Sequence, residues 1–177
     1  MPAEVHALRI YHRHLYAGGN FTTAGGDSRA SFLAAYPMLL VDNAISRRLV
    51  GSYAGGDVYD DGRHQTITAS VRKGRSGRFF VRIQNDGLEL GSFRVSGVGG
   101  ASGISARYFL QSTGADITSA VRSGNYFTGL AASDAIVLRM RVDVARNSAA
   151  GATFRITSSP TGGGELDTVR AVVTTRR

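Results

Sequence analysis

Hydrophobic and polar residues alternate along most of this chain, and the clearest example is the segment 78–87, RFFVRIQNDG. Phe79, Val81 and Ile83 fall on one face of an extended strand, whereas Phe80 falls on the other face between two arginines. The Asn-Asp-Gly sequence at its end is typical of a turn between antiparallel strands. The segment therefore predicts a strand with one buried face, and we expect Phe80 to be covered by a partner or by an adjoining loop.

The same alternation recurs along the chain with turn-rich segments between the copies, and the strongest copy spans 135–144. No long segment has the 3.6-residue period of a helix, although a short helical turn is predicted at 117–122. This spacing predicts an all-β, antiparallel sandwich. Strands are expected near 38–42, 66–72, 78–85, 90–97, 104–112, 125–128, 135–144, 152–158 and 166–175.

The inward positions of these strands predict the hydrophobic core of the sandwich. We expect eleven side chains to be mostly buried, because each lies on the apolar face of its strand. They are Phe79, Val81, Ile83, Phe93, Val95, Tyr108, Leu138, Met140, Val142, Phe154 and Ile156.

The chain is predicted to divide near Pro37 into an N-terminal β-hairpin or strand arm, 1–37, and the sandwich, 38–177. The arm contains two alternating stretches, 5–17 and 31–35, separated by a loop rich in glycine and threonine. So small a unit buries little core of its own, so its apolar side chains and unpaired strand edges need other contacts.

Two arrangements would satisfy the arm. It could add a strand to a neighbouring sandwich, which predicts a ring or filament of identical subunits, or it could fold back on its own sandwich. The predicted interface residues are Val5, Ala7, Leu8, Ile10, Tyr11, Leu15 and Phe21 in the arm, with Phe80 in the sandwich.

The net charge of +8 over 177 residues comes almost entirely from arginine, since Lys73 is the only lysine. Such a charge favours polyanionic partners, including a cell-surface glycan. Most arginines alternate with apolar residues and are expected on solvated strand faces, which leaves three short basic groups at 47–48, 72–75 and 176–177. None of the three is long or interleaved with aromatic residues, so nucleic acid is not expected as a partner.

Catalytic and metal-binding patterns are weak in this sequence. The chain contains no cysteine, which excludes thiol chemistry and zinc-finger sites, and it has neither a nucleophile-elbow string nor an evident carboxylate pair. We therefore expect no enzymatic activity and no cofactor. Asp57, Asp60 and Asp61 could supply oxygen ligands to calcium, but they lack the spacing of an EF-hand loop, and an ordinary polar turn is the alternative.

Three histidines near the N-terminus are a second candidate for metal binding. His12 and His14 are two residues apart on a predicted strand, and His6 lies farther along the same alternation. A solvated strand face explains all three equally well.

No segment approaches the roughly 18 continuous apolar residues of a membrane helix, so membrane insertion is not expected. The first residues lack a secretory signal pattern, so the chain either stays inside the cell or is a mature or excised part of a longer precursor.

The segment VRKGRSGRFFVRIQNDG, the strand-rich stretch 106–160 and the final DTVRAVVTTR together resemble the immunoglobulin-like sandwich modules of bacterial surface and secreted proteins. They are similar to the CARDB-type, cell-adhesion-related domains over about 41–177. The resemblance implies an antiparallel immunoglobulin-like β-sandwich that acts as a non-catalytic spacer, adhesion or assembly module.

Separately, the segment HLYAGGNFTTAGGDSRASFLAAY within residues 1–36 resembles a single blade repeat of a bacterial extracellular β-propeller. One copy cannot close a propeller, which implies a truncated longer protein or an arm that packs elsewhere.

These observations favour a structural or adhesion subunit of a bacterial extracellular surface assembly, forming a homo-oligomer or filament through its arm. One alternative is a virion component, either a capsid-decorating protein or a small coat protein, because an all-β chain with a charge of +8 and no visible signal also fits that class. Another alternative is a module that binds polyanions. The predicted location is extracellular or at the cell surface, or in the virion under the alternative.

Overall fold

The computed structural model describes residues 4–11, 14–24, 32–37 and 39–177, which form three β-sheets and one short helix. The elements are β1 (Glu4–Tyr11), β2 (His14–Asn20), β3 (Leu33–Pro37), β4 (Val41–Ser46), β5 (Thr66–Arg72), β6 (Ser76–Asn85), β7 (Gly91–Gly99), β8 (Ile104–Leu110), α1 (Thr118–Ser123), β9 (Tyr126–Leu130), β10 (Ala135–Val144), β11 (Gly151–Pro160) and β12 (Asp167–Arg176).

Two sheets form the sandwich, with strand orders β4-β6-β10-β8 and β5-β12-β11-β7-β9. The entering strand is split: β4 pairs antiparallel with β6 in one sheet, and β5 then pairs parallel with β12 in the other. In the lettering of immunoglobulin domains, β4 and β5 are the two halves of strand A, and the sheets become ABED and A′GFC. This order confirms the predicted immunoglobulin-like sandwich, with β9 as an additional strand beside β7.

The core lies between these two sheets and contains every side chain predicted for it. Leu138 on β10 and Ile156 on β11 have no exposed surface, and both belong to one continuous apolar cluster contributed by the two sheets. The periodicity of β6, β10 and β11 therefore assigns their inward faces correctly.

The helical turn predicted at 117–122 is α1, which spans Thr118–Ser123 and ends at Gly124 in the left-handed conformation that glycine accepts readily. Its buried residue Val121 lies against the backbone of Gly97 in β7. A Cβ atom at Gly97 would lie 2.6 Å from the Tyr108 hydroxyl oxygen, so only glycine lets β7 and this part of the core pack together.

The N-terminal segment differs from its prediction. The alternating stretch 5–17 is a hairpin and not one strand: β1 pairs antiparallel with β2, and Tyr11 lies opposite His14. β3 then pairs with the other edge of β2, which gives a small sheet in the order β1-β2-β3. The strand expected at 38–42 is also displaced, because β4 runs on through polar residues to Ser46 with every position buried.

The structure contains one helix in the described ranges, α1, and no helix there is long and apolar enough to cross a membrane.

Candidate assembly interface

The N-terminal sheet presents an apolar face that is exposed along β1 and half-buried along β2. Its register places Ile10 beside Leu15 and Tyr36, and Leu8 beside Ala17 and Ala34, so these side chains share one side of the sheet. Leu8 is 65% exposed and Ile10 is 62% exposed. We call this surface the apolar face, and its members are Val5, Leu8, Ile10, Leu15, Ala17, Ala34 and Tyr36.

A β-bulge in β1 places Val5 on the apolar face. Val5 lies opposite Gly19 and Ala7 lies opposite Gly18, so the register shifts by one residue between them. Strict alternation would put Val5 on the side of Ala7, but the extra residue moves it to the side of Leu8. The bulge therefore extends the row of exposed aliphatic side chains along β1.

Two other predicted interface residues, Ala7 and Tyr11, lie on the opposite face of the sheet together with Arg9. Tyr11 and Arg9 line a shallow depression there with Tyr16. All residues of β1 are exposed, and no strand in the described part of the chain pairs with its outer edge. This edge carries unpaired backbone groups that can accept another strand.

The sheet joins the sandwich at the end where β6 and β11 finish. The Tyr36 hydroxyl donates a long hydrogen bond of 3.4 Å to the backbone oxygen of Asp86, in the turn after β6. A cleft between the sheet and the turn 162–165 is lined by His14 and Pro37 among others. β3 thus adjoins the sandwich, and β1 forms the opposite edge of the sheet.

Two residues of the predicted interface, Phe21 and Phe80, are buried within the chain and are not available for contact. Only 6% of the surface of Phe21 and 8% of that of Phe80 are exposed. Phe80 lies two residues from Arg82 in β6 and so shares its face of the sheet. The guanidinium of Arg82 lies over the ring of Tyr53, and the Ile45 and Ala54 backbones hydrogen-bond to each other. The segment 47–54 therefore lies over this face, so an adjoining loop covers it.

The acidic loop uses its carboxylates within the chain. The Gly62 backbone N–H donates to Asp60 Oδ1 at 2.6 Å, and His64 Nδ1 lies 2.7 Å from Asp60 Oδ2. Asp61 forms an ion pair of 3.3 Å with Arg170. The third member, Asp57, has a positive φ of 59° in the same loop. These contacts describe a hydrogen-bonded polar turn.

The predicted histidine cluster is divided by the hairpin. His6 lies on β1 and His14 on β2, whereas His12 lies outside the described residues. In the ranges that the structure describes, no group of three or more histidine, aspartate or glutamate side chains is arranged to hold a metal ion. Neither predicted group of ligands is therefore brought together there.

A buried polar network that no local sequence pattern reveals joins the two sheets of the sandwich. The Asn43 backbone N–H donates to Asp167 Oδ2 at 2.6 Å, and the Asn43 side-chain amide donates to the Asp167 backbone oxygen at 2.7 Å. Gln65 donates to Asp167 Oδ1 at 2.5 Å, and Ser158 donates to Asn43 Oδ1 at 2.8 Å. Burial raises the pKa of Asp167, although the hydrogen bonds that its carboxylate accepts from the Asn43 backbone and the Gln65 side chain oppose the shift. The only signal in the sequence was a pair of polar residues, Asp42-Asn43, directly after an apolar run.

Asp42 is a second buried carboxyl group at this end of the sandwich, with 2% of its side chain exposed. Its burial, together with the charges of Asp86 and Asp167, raises its pKa to about 7. Arg82 opposes the shift weakly, because its Nη2 atom is 3.9 Å from Asp42 Oδ2. The Oδ1 atom of Asp42 is buried without a hydrogen-bond partner in the described structure.

No family model matches this chain, and no curated protein matches it. Among solved structures, the N-terminal domain of PorA is 10% identical with a TM-score of 0.45, over 77% of this chain and 98% of that domain. The CooA pilin subunit from enterotoxigenic Escherichia coli is 8% identical with a TM-score of 0.41, over 77% of this chain and 99% of the subunit. A family 123 glycoside hydrolase from Clostridium perfringens is 7% identical with a TM-score of 0.45, over 63% of this chain but 23% of the enzyme. These similarities are too weak to support a functional inference, so the fold assignment rests on the strand order.

Proposed function

We propose that this chain is a non-catalytic structural or adhesion subunit of a bacterial extracellular surface assembly and that copies associate through the N-terminal sheet. The observation that carries the proposal is the apolar face, whose β1 side chains Val5, Leu8 and Ile10 are exposed at the edge strand of the sheet. Placement at the bacterial surface follows from the resemblance to surface and secreted sandwich modules.

The energetic argument starts from the side chains of β1. Full burial of an aliphatic side chain stabilises a contact by about 1.5–3 kcal/mol, so covering Leu8 and Ile10 in a neighbouring copy gives a substantial driving force. Pairing of a second strand with the outer edge of β1 would satisfy its backbone groups at the same time. The contact therefore combines side-chain burial with main-chain hydrogen bonds.

The polar groups of the sandwich support a structural role over a catalytic one. Asp167 is saturated by donors from Asn43, Gln65 and Thr168, and it lies inside the sandwich without exposure. Asp60 is held by Gly62 and His64 within its own loop. These carboxylates position backbone segments and do not face an open pocket together with a nucleophile.

The proposal is tested by the double variant Leu8→Asp/Ile10→Asp, studied by analytical ultracentrifugation over a range of protein concentrations. We expect the parent chain to self-associate and the variant to sediment as a monomer, because each new carboxylate would have to be desolvated in the contact. Val98→Asp is the matched control, since Val98 is an exposed aliphatic residue on the sandwich. A parent chain that stays monomeric, or equal association of both variants, would contradict the proposal.

A deletion of residues 1–37 separates the two arrangements that the arm could adopt. If the arm serves assembly, the remaining chain folds as a soluble monomer with the thermal stability of the parent sandwich. If the arm completes the fold of its own sandwich, the deletion prevents folding. Circular dichroism and sedimentation of the purified fragment distinguish these results.

A further inference from the structure

Basic segments that are far apart in the sequence meet at the end of the sandwich opposite the N-terminal sheet. The Lys73 backbone N–H donates to the Arg176 backbone oxygen at 2.8 Å, and the Gly74 N–H donates to the Val144 oxygen at 2.8 Å. The turn 72–75 therefore lies between the end of β12 and the loop that follows β10. Two of the three basic groups in the sequence are joined here, and Arg146 adds to them.

We call this surface the basic end, and its members are Arg72, Lys73, Arg75, Arg146, Arg176 and Arg177. The five arginines are exposed, while Lys73 Nζ donates to the backbone oxygen of Ser148 at 2.8 Å. Arg72, Arg75 and Arg146 line one shallow groove with the turn between them. Gly74 has a φ of 77°, and a Cβ atom there would lie 3.2 Å from Arg146 Cγ, so glycine lets the turn pack closely against that arginine.

Most carboxylates in the part of the chain that the structure describes lie away from the basic end, although Asp143 lines a depression beside Arg75. Asp143 is the nearby carboxylate, and Arg141 and Arg107 engage it at 2.7 Å and 3.5 Å. Among the described residues, no carboxylate lies within ion-pairing distance of any member of the basic end. Nine of the 13 acidic residues lie at the opposite end or in its loops: Asp42, Asp57, Asp60, Asp61, Asp86, Glu89, Asp134, Glu165 and Asp167.

We propose that the basic end is a binding site for an anionic polysaccharide. Guanidinium groups form paired hydrogen bonds with carboxylate and with oxyanions of sulfate or phosphate type, and clustered arginines without partners repel one another until such groups bind. The lining residues 72–75 and 146 include no aromatic side chain on which a base could stack, which favours a polysaccharide over single-stranded nucleic acid. The site is separate from the apolar face, because the two lie at opposite ends of the molecule.

The test measures affinity for a heparin octasaccharide by isothermal titration calorimetry at several salt concentrations. The site variant R72Q/R75Q/R146Q is compared with R63Q/R94Q/R155Q, which removes the same charge from exposed arginines elsewhere on the sandwich. We expect the site variant to lose affinity by about tenfold or more and to show a salt dependence that is weaker by about three released counterions, whereas the control variant changes by less than about threefold. The single variant R146E should lose affinity in the same direction.

Several results would contradict the proposal that the basic end binds an anionic polysaccharide. Equal losses in the two triple variants would mean that the overall charge of +8, and not the basic end, attracts the polysaccharide. Absence of heparin binding at physiological salt would contradict the proposal outright. A single-stranded oligonucleotide of equal charge that binds about tenfold more tightly than heparin would assign the surface to nucleic acid instead. The Leu8→Asp/Ile10→Asp variant should keep the parent's heparin affinity, because it changes the apolar face and not the basic end. A failure of the assembly proposal can therefore be distinguished from a failure of the polysaccharide site.

Discussion

Asn43 and Asp167 bind each other twice across the interior of the sandwich, through a backbone N–H to carboxylate bond of 2.6 Å and an amide to backbone oxygen bond of 2.7 Å. Asn43 lies on β4 and Asp167 begins β12, so the two bonds connect strands of different sheets. Both side chains are fully buried. The pair therefore fixes the position of the first strand of the sandwich relative to the last.

Replacement of Asp167 by alanine is expected to destabilise the fold by about 3 kcal/mol or more, because it leaves several buried donors without an acceptor. Those donors come from Asn43, Gln65 and Thr168. Urea unfolding at pH 7 measures the change. Asp134→Ala is the control, since Asp134 is exposed and should change stability by less than about 0.5 kcal/mol. Similar effects of the two substitutions would mean that the network contributes little.

The raised pKa of Asp42 predicts a stability that depends on pH. The folded protein holds the proton up to about pH 7, whereas the unfolded chain releases it near pH 4. Between these values the folded state binds more protons, so stability decreases as pH rises from about 4 to about 7. The decrease is expected to be about 2–4 kcal/mol, and unfolding at pH 4 and pH 8 measures it.

Asp42→Asn removes the ionisable group and should make stability less dependent on pH in this window. At pH 8 the variant should be more stable than the parent, because it does not bury a carboxylate near Asp86 and Asp167. A small decrease with pH should remain, since burial also raises the pKa of Asp167. An unchanged pH profile in the variant would show that Asp42 is not the group responsible.

Leu138→Ala should destabilise the protein by about 2–5 kcal/mol, because Leu138 has no exposed surface at the centre of the core. Thermal unfolding followed by circular dichroism measures the loss. Leu90→Ala removes the same atoms from a side chain that is 76% exposed and should have little effect. If Leu138→Ala were no more harmful than Leu90→Ala, the assignment of the inward face of β10 would be wrong.

Two adjacent glycines in β2 provide a test of the N-terminal sheet. A Cβ atom at Gly19 would lie 2.0 Å from the Glu4 backbone oxygen, whereas at Gly18 the nearest atom would be 3.9 Å away. Gly19→Ala is therefore expected to separate the start of β1 from β2 and reduce self-association, with the unfolding of the sandwich unchanged. Gly18→Ala should keep the association of the parent. Sedimentation of both variants gives the comparison.

The sequence predicts the sandwich well because its central strands have one apolar face. In β6 and β10 the alternation of Val81 and Leu138 with charged residues identifies the inward side directly. β4 lacks this signal, because it is buried on both sides and its polar residues bond to the opposite sheet. Its extent and its network depend on contacts with Asp167, more than 100 residues away, which no local pattern contains.

The candidate surfaces were predictable in part for similar reasons. Leu8 and Ile10 were expected to be available for contact because a short arm cannot bury them, and the structure leaves both exposed. The bulge that adds Val5 to them depends on pairing with Gly19 and leaves no trace in the alternation. The basic end likewise depends on how the turn at Lys73 meets Arg176, which only the parallel pairing of β5 and β12 determines.

The parallel pair of β5 and β12 also determines how the sandwich responds to mechanical tension. The two strands stay in register from Thr66 opposite Arg170 to Arg72 opposite Arg176, so β5 begins at one end of the sandwich and β12 finishes at the other. A pull applied between the N-terminal sheet and the end of β12 acts along the strand axis. The pull reaches β5 through β4, which pairs with β6. Because β5 and β12 run parallel to the pull, it would load the hydrogen bonds between them in shear. We therefore expect this pair of strands to resist tension along the strand axis.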